Sequence, residues 1–546
     1  MSTDQQHPGS RLRSVSAHKA RLVKSASVVS LMTLLSRIGG LVREMIMAYF
    51  FGTSALKSAF DIAFLVPNLF RRLFGEGALA GAFVPVFNRE LQQNGRSRAN
   101  RLAMHVIGLL VITLSAVVLA GIGVSFLLPA VLPTGSQWLL PLPMIRLLLP
   151  YAVLICVAAM VAGMLNSVGR FAVSAFAPFV LNVVWIAALL IICSFIHVEK
   201  SRQLMILCGV VLVAGMLQIL IQIPVLIHEG FYFRPSFKGI LNDTGVIRIL
   251  TLMGPAVLGA GILQINVCVD KILAYWAGSY GPAALGYAER FIYLPLGIFG
   301  TAFMTVLLPA FSRHAANDEL FRVADDLEDA LVNLTLVMLP CAFGLGALAR
   351  PVMSLVYGIG NGAFDAESSV LTSRALCAYL PGLLIFSFNK AVVPAFYGMQ
   401  DIKTPTKVSL SVLILNVALN ICSVVFFPVG WKHAGIALST VVCSTVSVSV
   451  LYFIFRRRIC AINEKRLVSV FSRALLCAGL MAFATRFFHV YIVSVLPDCG
   501  ACRLISVLTA VILAIMLYSG FMAVFCAKEL SHLGNVVLKH VRRRND

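Results

Sequence analysis

Apolar stretches recur along the whole chain, from Val28 to Val541, separated by short breaks rich in Arg, Lys, Gly and Pro. Each is close to the ~20 residues that an α-helix needs to cross about 30 Å of hydrocarbon. The pattern predicts an all-α polytopic membrane protein of about 14 spans. They begin near Val28, Ser58, Leu102, Pro143, Ala172, Gln203, Val246, Gly281, Ala324, Ser368, Pro405, Ala434, Val468 and Leu504. An even number of spans puts both chain ends on one side of the membrane.

Composition agrees: 59% of the 546 residues are hydrophobic, 12% are charged, and the mean hydropathy is +0.91. That balance lies far outside the range of soluble domains. The net charge of +21 would suit nucleic acid if it covered one folded face. Instead the cations occupy tails and alternate loops, the distribution that the positive-inside rule describes. Arg89, Arg96, Arg98 and Arg101 follow the second span. Arg234, Lys238 and Arg248 flank the loop between spans six and seven, and Arg456, Arg457, Arg458, Lys465 and Arg466 follow span twelve. These loops and both ends are expected in the cytoplasm, with no nucleic-acid partner. Arg11, Arg13, Lys19, Arg21 and Lys24 run into the first span without a cleavage pattern, which predicts an uncleaved cytoplasmic tail.

The 13 cysteines lie mostly singly within apolar runs, without zinc-ligand spacing. Cys499 and Cys502 form the one pair, in the outer loop between spans thirteen and fourteen. There a local staple or no role is expected, rather than redox catalysis.

The two halves echo each other. Ala48-Tyr49, Gly52, Pro67 and Pro85-Val-Phe-Asn-Arg89 parallel Ala274-Tyr275, Gly278, Pro295 and Pro309-Ala-Phe-Ser-Arg313; Leu181-Asn182-Val183 parallels Leu415-Asn416-Val417. Two homologous six-helix lobes follow, a parallel repeat about an axis along the membrane normal. The expected organisation is a basic tail at 1–25, an N-lobe at 26–240, a C-lobe at 241–460, and helices thirteen and fourteen with a basic end at 461–546.

Charge inside the spans marks the candidate chemistry. Span one carries Arg37, Arg43 and Glu44; at 100° per residue Arg37 and Glu44 share a face, and Arg43 points about 120° away. Span two carries Asp61, Arg71, Arg72 and Glu76, and span eight carries Glu289 and Arg290. An Arg near a helix centre costs about 2.5–3.5 kcal/mol on the insertion scale, so Arg37, Arg43, Arg71 and Arg290 should face a wet cavity. Clustered guanidinium forks suit phosphate or diphosphate. Ion pairing with Glu44, Asp61, Glu76 and Glu289 would instead lock helices together, and for Arg72 with Glu76, spaced i to i+4, that is the expected role.

Several of these segments resemble one family closely. Ser36-Arg37-x-x-Gly40-x-x-Arg43, Val66-Pro67-Asn68-Leu69-Phe70-Arg71-Arg72, Phe74-Gly75-Glu76-Gly77-Ala78, Ala82-Phe83-Val84-Pro85 and Phe396-Tyr397-Gly398-Met399-Gln400-Asp401-Ile402-Lys403-Thr404-Pro405 are similar to the bacterial lipid II flippase family MurJ, also called MviN. The similarity runs from about Ser30 to the last span and includes Asn166 to Pro178 and Met253-Gly254-Pro255-Ala256.

The resemblance implies a MATE-like fold of the oligosaccharidyl-lipid exporter superfamily, with two lobes around a cationic cavity and two extra helices forming a lipid groove. It implies an inner-membrane protein of cell-wall synthesis and cell shape, not an enzyme. Its substrate would be an undecaprenyl-diphosphate-linked disaccharide-peptide, lipid II, with membrane lipids and wall-synthesis proteins as further partners. Arg37, Arg43, Arg71 and Arg290 resemble the family's substrate-binding arginines; Glu44, Glu76, Glu289 and Asp61 would be gating or pairing acids. Where relatives often show Asp in the second helix this chain has Ser58, and its own acid, Asp61, follows nearly one turn later.

No organic cofactor is expected. A coupling-cation site could form from Asp270 in span seven, Asn416 and Asn420 in span eleven, and Ser439 or Thr440 in span twelve, all hard oxygen donors. Some relatives suggest sodium there; membrane potential is the other candidate driving force, and pairing of Asp270 with Lys271 is the bland alternative. Alternating access would carry the headgroup between lobes while the prenyl tail stays in lipid. The rival readings are an exporter of another lipid-linked oligosaccharide or a MATE-type small-molecule antiporter, whose cavity should be acid-rich. A membrane enzyme on the same lipid would need clustered acids or His, and His105, His197, His228, His314 and His433 are dispersed.

Overall fold

The computed structural model describes residues 8–75, 78–237, 239–360, 362–458, 463–497 and 499–525. Helices and their connections account for all of them, and no strand occurs among the described residues. The first helices are α1 (Pro8–Phe51), α2 (Ala55–Phe70), α3 (Ala78–Val131), α4 (Leu142–Leu148), α5 (Tyr151–Ser167), α6 (Phe171–Phe195), α7 (Lys200–Leu220) and α8 (Ile223–His228). Then come α9 (Thr244–Ala277), α10 (Gly281–Pro295), α11 (Thr301–Ala316), α12 (Leu320–Ala347), α13 (Ala349–Tyr357), α14 (Ala366–Gly398), α15 (Lys403–Phe426) and α16 (Lys432–Arg458). Helices α17 (Glu464–Val495) and α18 (Gly500–Phe525) complete the chain.

Among the described residues ten helices are long and apolar enough to cross a membrane, or eleven when the pair Gln137–Leu148 and Tyr151–Ser167, bent by 42°, counts as one span. The other three expected spans coincide with α1, α2 and α9. These are the helices that carry Arg37, Arg43 and Glu44, then Lys57 and Asp61, then Asp270 and Lys271. Helix α3 is too long for a single span; Gly95, at φ 77°, breaks it within the polar stretch 88–101 that separates two apolar parts.

The repeat is visible in local geometry. Helix α2 runs into a π-turn at Arg71–Gly75 before α3, and α10 runs into a π-turn at Leu296–Gly300 before α11. A wide turn at the same place in both halves loosens the backbone next to Pro67 and Pro295, where each proline already removes a helix hydrogen bond.

Packing divides the chain into two compact units, one of Met1–Met47 with Ala59–Gln264 and one of Ala48–Ser58 with Ile265–Asp546. The turn between α1 and α2 thus belongs with the second unit. There Tyr287 Oη donates to the Gly52 carbonyl (3.1 Å), the Ala363 N–H donates to the Tyr49 carbonyl (2.7 Å), and the Thr53 and Ser368 hydroxyls bond at 2.8 Å. Gly52 sits at φ 55°, and a Cβ there would collide with the Ala363 carbonyl, so both conformation and space require glycine.

In the first unit the segment between α8 and α9 is strapped to α3. Asp243 accepts both Arg98 Nη1 and Nη2 at 2.7 Å, bonds His105 Nδ1 at 2.9 Å, and accepts the Gly245 N–H at 3.0 Å near the start of α9. The Ser236 N–H donates to the Met104 carbonyl (3.3 Å), and Gly108 leaves room for the Ser236 carbonyl. The Arg98 fork, seconded by His105, holds the buried Asp243 carboxyl well below the usual carboxylate range. A depressed pKa stabilises the fold at neutral pH, and that contribution disappears as pH falls below about 4 and through the folded value. Asp243→Asn should lower stability by about 2 kcal/mol at pH 7, the cost of breaking a buried pair discounted for the partly exposed guanidinium. Thermal unfolding in detergent at pH 7 and at pH 3 measures it; a gap between variant and wild type that did not narrow in acid would refute the ion-pair account.

Candidate substrate and cation sites

Helix α1 presents an arginine to α6 and pairs it with its neighbouring acid. Arg43 Nη2 lies 2.8 Å from Glu44 Oε1, Nη1 donates to Asn182 Oδ1 at 3.1 Å, and the guanidinium carbon sits 4.3 Å above the Trp185 ring. Both charged side chains are nearly buried, 11% and 12% exposed, so the pair is desolvated and its partners fix it. Asn182 Nδ2 donates to the Ser36 carbonyl (3.0 Å), and Gly39 lets α6 approach, since a Cβ there would stand 3.3 Å from that of Asn182. Arg43 Nε is buried without a hydrogen-bond partner, leaving one donor edge uncommitted.

The other predicted cations have different surroundings. Arg37 is exposed on α1, and Glu44, with which it shares a helix face by spacing, engages Arg43. Arg71 lies half-buried in the first π-turn and donates from Nε to Asn68 Oδ1 (3.1 Å). Arg72 Nη1 donates to Gln264 Oε1 on α9 (3.3 Å), while Glu76, its expected partner, lies outside the described residues. Asp61 is half-buried on α2. Ser58 is fully buried and accepts the Ala283 N–H in the first turn of α10 (3.3 Å), so the serine at this position works as a helix-capping acceptor.

In the second unit Arg290 is exposed, and Glu289 engages a different cation: Lys271 Nζ at 3.0 Å, with Tyr379 Oη donating at 3.2 Å. Lys271 is thereby diverted from Asp270, the partner that its sequence neighbour suggested. Asp270, 8% exposed, accepts Asn420 Nδ2 at Oδ1 (2.6 Å) and Thr440 Oγ1 at Oδ2 (3.1 Å). Asn420 Nδ2 also bonds Asn416 Oδ1 (2.8 Å). Ser439, the alternative to Thr440, bonds Ser423 Oγ (3.1 Å) instead. Asn416 and Asn420 are fully buried, and Asn420 Oδ1 and Asn416 Nδ2 have no hydrogen-bond partner. A buried carboxylate, two amides and a hydroxyl that converge, with an acceptor oxygen unspent, are a donor set that fits one hard monovalent cation.

The two sites correspond. The register that pairs Ala48 with Ala274 pairs Glu44 with Asp270, and the second echo pairs Asn182 with Asn416. Each unit therefore sets an acid on the first helix of its half near an asparagine on the fifth. Sequence reasoning found Asn182 only as an echo and did not find Trp185 or Tyr379; the echo itself was the available signal.

The family model described as lipid II flippase MurJ matches residues 47–498. A probable lipid II flippase MurJ of Vibrio cholerae is 32% identical over 445 residues, covering 79% of this chain and 82% of that protein. The lipid II flippase MurJ of Burkholderia cenocepacia is 32% identical over 473 residues, covering 84% and 89%. Among solved structures, lipid II flippase MurJ in an inward closed conformation superposes with TM-score 0.74 at 24% identity, covering 92% of this chain and 99% of that one. An inward-facing multidrug MATE transporter superposes with TM-score 0.62 at 16% identity, covering 82% and 98%. A membrane-span-rich helical fold shared with MurJ and MATE structures, and a family match over most of the sequence, make this chain a multi-pass inner-membrane member of the lipid II flippase MurJ family.

Proposed function

We propose that this chain carries lipid II from the cytoplasmic to the outer leaflet by alternating access, without covalent chemistry. The observation that carries the reading, beside family membership, is the desolvated Arg43–Glu44–Asn182–Trp185 node on a membrane helix. Intramembrane ionisable groups of this kind mark transport pathways. Arg37, Arg71 and Arg290 supply guanidinium forks for the diphosphate and headgroup, and Arg43 offers its remaining Nε–H edge. Glu289, through Lys271 and Tyr379, sets the charge beside Arg290. Both termini and the basic turn Arg456–Arg458 face the cytoplasm, and the prenyl tail travels in lipid beside α17 and α18. Wall-synthesis proteins that consume the product at the outer leaflet are the expected protein partners.

Asp270, Asn416, Asn420 and Thr440 would hold a sodium ion. When bound, the ion supplies a positive charge that neutralises the Asp270 carboxylate and ties α9 to α15 and α16. Without it, Asn420 and Thr440 hold the carboxylate by hydrogen bonds alone.

Complementation tests the assignment. In a bacterium depleted of its own lipid II flippase, the wild-type chain should restore growth and an outer-leaflet lipid II pool. A well-inserted wild type that restores neither would redirect the proposal to another lipid-linked oligosaccharide.

A further inference from the structure

Helix α18 opens with the pair Cys499-Gly-Ala-Cys502, which the transport reading leaves unused, and the family match ends at residue 498, immediately before it. The Cys499 carbonyl accepts the Arg503 N–H (2.9 Å), the first bond of the helix, so Cys499 occupies the N-cap position. Its sulfur takes the cap role as well: the Cys502 N–H donates to Cys499 Sγ at 3.2 Å. The two sulfurs face each other at 2.7 Å; Cys499 is exposed and Cys502 half-buried.

Three physical features make this more than two neighbouring thiols. Spacing i to i+3 places both side chains on one face of the first turn. Cys499 is the exposed sulfur of the two, so it is the one that an external disulfide reaches first. A disulfide with an exposed sulfur is open to exchange rather than inert. We propose that Cys499 and Cys502 form a thiol–disulfide exchange site on the outer face of the membrane, with Cys499 the attacking and Cys502 the resolving residue.

The reaction partner is an external disulfide. The Cys499 thiolate attacks one of its sulfurs, forming a mixed disulfide and expelling one thiolate. Cys502 then loses its proton and attacks Cys499 Sγ, closing the internal disulfide and expelling the second thiolate. The pair is oxidised by two electrons, and the external disulfide is reduced to two thiols. In the orientation proposed above this turn faces the oxidising side, where the closed form persists.

Trypsin releases residues 487–503 as one peptide containing both cysteines and no other. Full-length protein in detergent, first reduced, is treated with the aromatic disulfide dithiobis(nitrobenzoate) and the peptide is weighed. Wild type should lose two hydrogens and carry no adduct, Cys502→Ser should keep one nitrothiobenzoate on Cys499, and Cys499→Ser should react more slowly. Two adducts on the wild-type peptide, or equal rates for the two single variants, would overturn the exchange site. Whole cells test the location: a membrane-impermeant maleimide should label the peptide only after a thiol reductant is added. Labelling without reductant, or only after the membrane is broken, defeats the proposal even if the protein rescues flippase depletion.

Discussion

Arg43→Ala is expected to abolish rescue of a flippase-depleted bacterium and to lower the amount of chain in the membrane. The substitution takes the Arg43 cation from the Glu44 carboxylate, 12% exposed, and the Arg43 donor from Asn182 Oδ1. Breaking a buried pair by deleting one partner costs about 3 kcal/mol or more, roughly a hundredfold in any equilibrium it enters. Stability and transport can be separated. Arg43→Ala with Glu44→Gln removes the stranded charge and should recover much of the membrane level. Rescue should stay absent if Arg43 also meets substrate. Arg43→Lys keeps the charge but loses the planar fork that reaches Glu44 and Asn182 together while stacking on Trp185, and should rescue weakly. The readout is colony survival normalised to membrane level. Full rescue by the double variant would reduce Arg43 to a structural ion pair.

The second large effect concerns Asp270. Asp270→Asn preserves the shape of the side chain and much of its contact with Asn420 and Thr440, but removes the single charge of the site. In purified wild type, sodium at a hundredfold excess over its dissociation constant should stabilise the fold by about 2.7 kcal/mol, with potassium at the same ionic strength giving less. The Asp270→Asn variant should show no difference between the two salts and should lose flippase rescue. Equal responses of the wild type to sodium and potassium would remove the ion from the proposal and leave membrane potential as the driving force.

The spans from α10 to α18 are legible in sequence because their apolar runs are long and their charges sit mostly at the ends. Helices α1, α2 and α9 are read from apolar runs as well, although Arg37, Arg43, Asp61 and Asp270 fall within them. The partners of those charges were harder to foresee. Adjacent residues on a helix do not normally face each other, yet Arg43 bonds Glu44 at 2.8 Å while also reaching Asn182 on α6. Glu289 finds Lys271 on another helix, a pairing fixed by how α9 and α10 pack and carried by no spacing in the chain. Asp270, Asn416, Asn420 and Thr440 do come together as their donor chemistry suggested, because Asn416 and Asn420 lie one turn apart and α16 packs beside α15.

Glu44 and Asp270 hold the same place in the repeat, but they are neutralised in different ways. In the first half the counter-charge is covalently attached, one residue away, and cannot leave. In the second half the acid has the neutral partners Asn420 and Thr440, and the adjacent Lys271 is paired with Glu289 instead. One acid of the repeat thus carries a fixed counter-charge, and its counterpart is left for the proposed sodium ion. If that ion binds, a sodium gradient would act through the second half, while the first keeps its own fixed pair.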